Sequence, residues 1–471
     1  MDTTPTFQDF EQAKEDNDLI EFVAAAIGSY KRSKEYKTAI TADEYDHQRN
    51  TTIVNYVKQM YNLSGQEVDD FTSSNNRLCS NFFNRLNTQR CLYSLGKGVS
   101  FVDVGESGED TTKERLGKHF DHDIKEAGYY ALIHGRSYLF WDLDRTHVFK
   151  ATEFVPLMDE STGVLRAGIR WWQLSKNKPM IAVLYESDGF TKYKTGDEGG
   201  LVEDQPKRAY MQTFETVDAD GTSELLYEDN YDSLPIVTVY GSRLKQSTLV
   251  GMREAIDAYD LIRSGFANDL TDCAEIYWIV NNAGGMEDNE LMKFRDRLKL
   301  QHIANVDGSD GAGVTPYTQD IPYQARTEFL NWVRNGIYED FGALDVHTVA
   351  AGATNDHIDA AYQPMDENAD DFESWVSEAI VNLLELLGIE DEPVFNRTRI
   401  SNQLEQVQII VQEAQWLDRE TVLRKLPNIT PEEVQAILER SEEEDMARMM
   451  AIQATAQAQQ ELTEEEEQGE V

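Results

Sequence analysis

Cysteine is nearly missing from this chain. Only Cys79, Cys91 and Cys273 occur in 471 residues, far apart and without the short spacings of a metal site. Buried thiols in a reducing compartment are the expectation. Long apolar runs are missing too: none reaches the roughly 18–20 residues that cross a bilayer. The opening stretch MDTTPTFQDFEQAKEDND lacks the basic and apolar regions of a signal peptide, so a protein made and used in a cytoplasm is expected. Positive charge is scarce: 43 Lys and Arg stand against 86 Asp and Glu, a net charge of −43. Such a surface repels nucleic acid over most of its area. Solubility, or a salt-adapted source, would give the same composition.

Recognisable catalytic motifs are also lacking. There is no Gly-x-Ser-x-Gly nucleophile elbow. LGKGVSF lacks the spacing of a phosphate-binding loop, and DGSDGAGV lacks the terminal Glu and flanking helices of a calcium loop. His119 and His122 lie three apart beside Asp121 and Asp123, but nothing supplies further ligands at a metal spacing, and a solvated helix face explains them. Acidic pairs abound, and at this composition they say little about glycoside chemistry. Neither an enzymatic activity nor a cofactor or metal is expected.

What is present is a globular composition, 40% hydrophobic and 10% aromatic, long enough for two or more folding units. Residues 1–62 read mostly as helix, with Ile20, Val23, Ala24 and Ile27 on one face and Ile53, Tyr56, Val57 and Met60 on another. Residues 74–96 have helical period and stop at Gly96, and GKGVSFVDV reads as a strand. A helix over 118–128 precedes a β-rich stretch, 129–240, punctuated by turns at 159–163, Asp188-Gly189 and Asp220-Gly221. Antiparallel strands carried on helices make the fold class α+β.

The region 235–375 has a different plan. A helix over 249–275, capped by Ser247 or Thr248, carries an apolar stripe of Ile256, Tyr259, Ile262 and Phe266, with Asp257, Asp260 and Asp269 elsewhere on it. IYWIVNN reads as a strand. The short helix NELMKFRDRLKL gathers Lys293, Arg295, Arg297 and Lys299, and the turn DGSDGAG follows. A salt-bridged surface helix explains the four cations; a patch for an acidic neighbour or a nucleic-acid backbone is the sharper reading. A second long helix runs from Pro322 to about Gly342. A loop marked by Gly352 leads to a helix that Pro364 should kink and Gly388 ends. After Pro393 the pattern is all helical, with a helix start at Thr430-Pro431-Glu432-Glu433 and an acidic, low-complexity tail.

Two long helices bracketing a small insertion suit a stave of a ring better than an enzyme. Here the chain resembles the portal proteins of tailed double-stranded DNA phages, in the siphophage branch. LPIV followed by AIDAYDLIRSGFANDL resembles the family's strand and first stem helix, with Asn268, Asp269 and Asp272 at its polar positions. GIYEDFGALD resembles the end of the second stem helix, and GATNDHIDAAYQPMDENADDFE the tunnel loop and the kinked helix behind it. NNRLCSNFFNRLNTQRCLYSLGKGVSF, AGYYALIHGRSYLFWD and LDRETVLRKLPNIT resemble wing and C-terminal segments in the same order, so the likeness covers about 50–445. The loop departs from the family pattern: 352–360 lacks its Ser-Gly and its Lys, which puts charge-based gripping of DNA in doubt.

The resemblance implies a wing (1–245), a first stem helix (246–275), a clip (276–320), a second stem helix (321–344), a tunnel loop (345–357), a long kinked helix (358–395), a helical crown (396–450) and an acidic tail (451–471). It implies a dodecameric ring at one capsid vertex, assembled in the host bacterial cytoplasm. Double-stranded DNA would pass the channel during packaging and ejection. Terminase, head-completion or connector proteins, and the major capsid and scaffold proteins would be partners. His347, Thr348, Asn355 and His357 would face the channel. Lys293, Arg295, Arg297 and Lys299 would dock partners. Asp257, Asp260, Asn268, Asp269 and Asp272 would form the polar side of the stem. Another ring-forming virion adaptor is the runner-up, and an acidic hydrolase the alternative of a different class.

Overall fold

The computed structural model describes residues 4–61, 65–71, 73–102, 111–196, 199–216, 223–273, 277–281, 313–317, 323–345 and 355–399, with Lys293 and a few positions beyond 400. The chain divides into two compact units, 1–343 with 365–398, and 344–364 with 399–471. In the second, Arg399 bonds to Asp359 at 3.1 Å and lies 5.7 Å from the Tyr362 ring. The elements below belong to the first, apart from the opening turns of the last helix.

The chain begins with helices α1 (Phe7–Glu15), α2 (Leu19–Arg32), α3 (Lys34–Asp46) and α4 (Thr51–Val54). Thr6 and Asp9 form a reciprocal capping box on α1, satisfying two otherwise unpaired donors. On α2 the buried stripe is Val23, Ala26, Ile27 and Tyr30, while Ile20 and Ala24 are exposed, so the apolar face is rotated from the expected one. The helical reading fails beyond Val54. Tyr56, Val57 and Met60 are exposed, and β1 (Gln59–Tyr61) pairs with β2 (Glu67–Asp69) in a small hairpin. Residues 74–80 are neither helix nor strand, and α5 (Phe82–Leu95) begins only after them, ending at Gly96 as expected.

β3 (Val99–Phe101) and α6 (Thr112–Arg115) lead into α7 (Phe120–His134), which extends six residues past the expected end. Its Ile124, Ala127, Ala131 and Leu132 are buried at helical spacing, and that burial overrides the β-rich character of Tyr129–His134. Gly135 stops the helix at φ 91°, where a Cβ would sit 2.7 Å from the backbone of Gln246.

Strands then follow in quick succession: β4 (Arg136–Asp142), β5 (Arg145–Lys150), β6 (Phe154–Met158), β7 (Leu165–Trp172), β8 (Ile181–Glu186), β9 (Gly189–Thr195), β10 (Leu201–Arg208), β11 (Met211–Thr216), β12 (Ser223–Asp229) and β13 (Ile236–Tyr240). β6 to β10 form a five-stranded antiparallel meander, β13, β4 and β5 a three-stranded sheet, and β11 with β12 a separate hairpin. The α+β class is therefore as expected. Between the larger sheets lies an aromatic core of Tyr138, Phe140, Phe149, Phe154, Tyr185 and Tyr210. On its other side the meander packs on α1 and α2 through Val155, Leu157, Ile169 and Trp171.

The two expected long helices are α8 (Arg253–Cys273) and α9 (Tyr323–Phe341). They share a core with α3, α5 and α7 through Ile256, Val333, Ile337, Tyr338 and Phe341. Between them β14 (Tyr277–Asn281) pairs with β15 (Gly313–Tyr317), a strand the sequence reading missed. The long helix α10 (Asn355–Leu386) contains Pro364 and buries Phe372, Val376, Ile380 and Leu383 against α5, α7 and β4. Residues Pro393–Phe395 form β16 on β3, correcting the all-helical reading after Pro393. Most of the expected crown, and the tail 451–471, lie outside the described residues.

Candidate functional site

The polar side of α8, which carries the expected stem residues, holds the segment that leads into α5. Asn268 Oδ1 accepts the backbone N–H of Asn76 at 2.6 Å, Ser264 Oγ that of Leu78 at 3.0 Å, and Asp260 Oδ1 that of Ser80 at 2.9 Å. The match is metric. Two extended residues advance about 6.6 Å and four helical residues about 6.0 Å, so alternate N–H groups meet every fourth helix position. Among the described residues the segment has no strand partner, and the helix side chains satisfy its donors.

Asp260 is fully buried and also accepts from the Asn50 amide. Burial pushes its carboxyl above the ordinary range, against the opposing pull of the Asn50 and Ser80 hydrogen bonds. One turn earlier, Asp257 accepts from the Tyr45 and Thr52 hydroxyls, the latter at 2.6 Å, and lies 3.5 Å from the Arg253 Nε. Asp269, on the opposite side of α8, pairs with Arg326 of α9. Four of the five expected stem residues are thus bonded within the chain. The side chain of Asp272 lies outside the described residues.

The other expected sites are less complete. Lys293 is exposed, while Arg295, Arg297 and Lys299 lie outside the described residues. His347 and Thr348 lie outside them as well. Asn355 is the first residue of α10 and His357 is exposed in its first turn, so the helix begins inside the expected loop boundary. His122 sits 3.8 Å from Glu126 on α7, an ordinary one-turn surface pair. Among the described residues no cluster of His, Cys, Asp and Glu is arranged to hold a metal, and no helix is long and apolar enough to cross a membrane.

Sequence reading missed one node. Arg397 bonds to Glu373 at 2.9 Å and 2.8 Å, to Asp366 at 3.1 Å and to Asp370, three carboxylates one turn apart on α10. Asp366 also accepts from the Tyr93 hydroxyl of α5 at 2.5 Å. These carboxylates, Glu373 first, raise the Arg397 guanidinium pKa above its ordinary value. The only signal available was the i, i+4, i+7 spacing of the acids. An open cavity of about 490 Å³ is lined by Lys34, Lys37, Arg253 and Glu254, and another of about 360 Å³ by Arg90, Arg243, Asp340 and Asp371. Among the described residues lining them there is no histidine or cysteine.

Polar groups spent on internal bonding, a β body carried on helices, and two long helices joined through a stranded pair are the features of a structural protein. The sequence matches the family described as phage portal protein, SPP1 Gp6-like, over residues 30–447, and the chain belongs to that family. It is 24% identical over 394 residues to the portal protein of Clostridium phage phiCD119, covering 78% of this chain and 84% of that protein. It is 22% identical over 423 residues to the portal protein of Bacillus phage SPP1, covering 80% and 78%. The family is a structural component of the virion capsid and not an enzyme, which removes the hydrolase reading.

Proposed function

We propose that this portal protein forms a dodecameric ring at one vertex of a tailed-phage capsid, with a central channel for packaging and ejecting double-stranded DNA. The supporting observation is the pairing of β14 with β15. It closes the segment between α8 and α9 into a module that leaves and returns at one place, from Tyr277 to Tyr317. Residues 1–245 serve as the wing, α8 and α9 as the stem, 276–320 as the clip, 345–357 as the tunnel loop and 396–450 as the crown. The clip docks terminase and then the head-completion proteins through Lys293, Arg295, Arg297 and Lys299, and the major capsid and scaffold proteins are further partners. His347, Thr348, Asn355 and His357 line the channel without a fixed positive charge, so contact with DNA there is steric and weak.

A chain of net charge −43 suits that task. Acidic walls do not hold a polyanion, so DNA slides without a sequence-dependent grip. Native mass spectrometry and negative-stain imaging of the purified protein test the reading. A closed ring of twelve with a central hole is the expected result, and a monomer at micromolar concentration at every ionic strength would overturn it.

A further inference from the structure

Arg90, on α5, is a buried cation that the chain leaves unanswered. It is 8% exposed. Among the described residues it makes one hydrogen bond, from Nη2 to the Asn368 backbone carbonyl of α10 at 2.8 Å, and its Nε has no partner. A guanidinium carries five N–H donors, so most of its bonding capacity is unspent. Asp371 attracts it through space without forming an ion pair. That carboxylate instead accepts the backbone N–H of Arg243, at 3.2 Å and 3.3 Å. Burial draws the Arg90 pKa down to about 10 against the pull of Asp371, which leaves a cation at neutral pH. Buried charge is costly unless an anion and further hydrogen bonds answer it. Other arginines of the chain are answered: Arg136 by Glu35, and Arg397 by three carboxylates.

Arg90 also lines the cavity of about 360 Å³ enclosed by α5, the loop 242–252, the end of α9 and α10. That volume lies within the range of small-ligand sites. Arg243 and Gln246 of its lining are exposed while Arg90 is buried, so the cavity leads from solvent inward to the guanidinium. The other inner donors are taken. Ser247 Oγ donates to the Ile133 carbonyl, and Thr248 Oγ1 bonds to Asn87 and Leu132.

The lining also selects the anion. Arg90 and Arg243 stand against Asp340 and Asp371, so the formal charges cancel. A dianion such as phosphate would meet two carboxylates there. A single carboxylate is planar, matches the guanidinium fork with two parallel bonds, and brings one charge for one charge. N–H groups carried beside it would find acceptors in Asp340 and Asp371. We infer that this cavity is a binding site for one aspartate or glutamate side chain of another protein segment, with Arg90 as its anchor. The inference stands apart from the ring reading and holds for a ring or a monomer.

The probe is a blocked glutamate, N-acetylglutamate N-methylamide, added to the full chain at about 50 mM and matched ionic strength, with Tm as the readout. It should raise Tm by about 2 °C, acetate should do less, and blocked glutamine and inorganic phosphate should do nothing. Arg90→Met keeps the side-chain length and removes the charge. It should abolish the rise while its own ligand-free Tm stays at or above that of wild type, because an unanswered buried cation costs stability. Gln246→Trp, at an exposed position of the lining, fills the cavity without touching Arg90 and should abolish the rise as well. No rise in wild type, or a rise that survives both variants, overturns the site. An equal rise with acetate, blocked glutamine or phosphate overturns the peptide carboxylate as its ligand. A ligand-free Tm below wild type in Arg90→Met overturns the reading of Arg90 as unanswered.

Discussion

The backbone N–H of Ser80 reaches the buried Asp260 carboxylate at 2.9 Å, across 180 residues of chain. That bond is the last step of the ladder from Asn268 through Ser264 to Asp260, and it fixes where α5 begins. It also gives the acidic residue at 260 a partner within the chain. The first long helix uses its polar side to hold its own chain.

Asp260→Ala removes the acceptor of two buried donors, Ser80 N–H and the Asn50 amide. The expected loss is about 2–4 kcal/mol of unfolding free energy in urea, since each stranded donor keeps its desolvation cost. A loss below about 0.5 kcal/mol would show that water replaces the carboxylate at no cost. The pH dependence has a definite sign. The folded carboxyl titrates above its unfolded value, so its contribution is fully present below the unfolded pKa of about 3.9 and falls away as pH rises through the raised one. Wild type minus Asp260→Asn should therefore be more favourable near pH 4 than near pH 7, and a flat or reversed difference would refute the burial argument.

Much of this could be read from residue order. α8 and α9 announce themselves by apolar period and the α+β class by alternation between turns. The polar face of α8 could not be read, because Asp260 looks like any other carboxylate in a chain with 86 of them, and its partners are distant in sequence. β15 escaped because Gly313-Val314-Thr315-Pro316-Tyr317 contains a proline, which normally demotes a strand, yet it pairs with β14 across its whole length. The end of α7 was misread because Tyr129-Tyr130-Ala131-Leu132-Ile133 favours strands locally, and only burial against α5 and α10 makes it helical. The resemblance to portal proteins rested on the order of several moderate matches, a signal carried by no single residue.

Gly135→Ala should be costly out of proportion to one methyl group. The residue sits at φ 91°, and the new Cβ would meet the Gln246 backbone at 2.7 Å. Strain and collision together should remove about 2–4 kcal/mol, read as a lowered Tm. Gly163→Ala, also at positive φ but in open space, isolates the conformational part and should cost about 1 kcal/mol. Equal losses at both sites would show that the Gln246 contact relaxes freely.

Arg397→Lys should behave like Arg397→Ala. The guanidinium reaches Asp366, Asp370 and Glu373 at once, and an ammonium cannot reproduce that fork. Either change leaves carboxylates one turn apart on α10 without their cation and should cost about 1–2 kcal/mol. Faster amide exchange at β16 and β3, the pair that lies beside this clamp, is the accompanying sign. Full stability in the lysine variant would reduce the clamp to an ordinary surface pair.

Reversing the charge of Arg295 and Lys299 to Glu should cut DNA packaging or tail joining while leaving the ring intact. The proposal places these residues on the clip, and an acidic clip would repel the acidic partners that a basic one attracts. Phage yield in a complementation assay, with native mass of the purified variant as the assembly control, gives the answer. Unchanged yield would remove the basic cluster from the docking surface.

Salt should strengthen assembly. Each copy carries a net charge of −43, so bringing copies together at low ionic strength costs long-range repulsion that a Debye length of about 10 Å at 0.1 M salt largely screens. The assembled fraction should rise between about 0.02 M and about 0.5 M salt, in steps visible by analytical ultracentrifugation. A ring held chiefly by ion pairs between copies would show the opposite slope. Assembly that weakens with salt would therefore locate the copy-to-copy contact on charged surfaces.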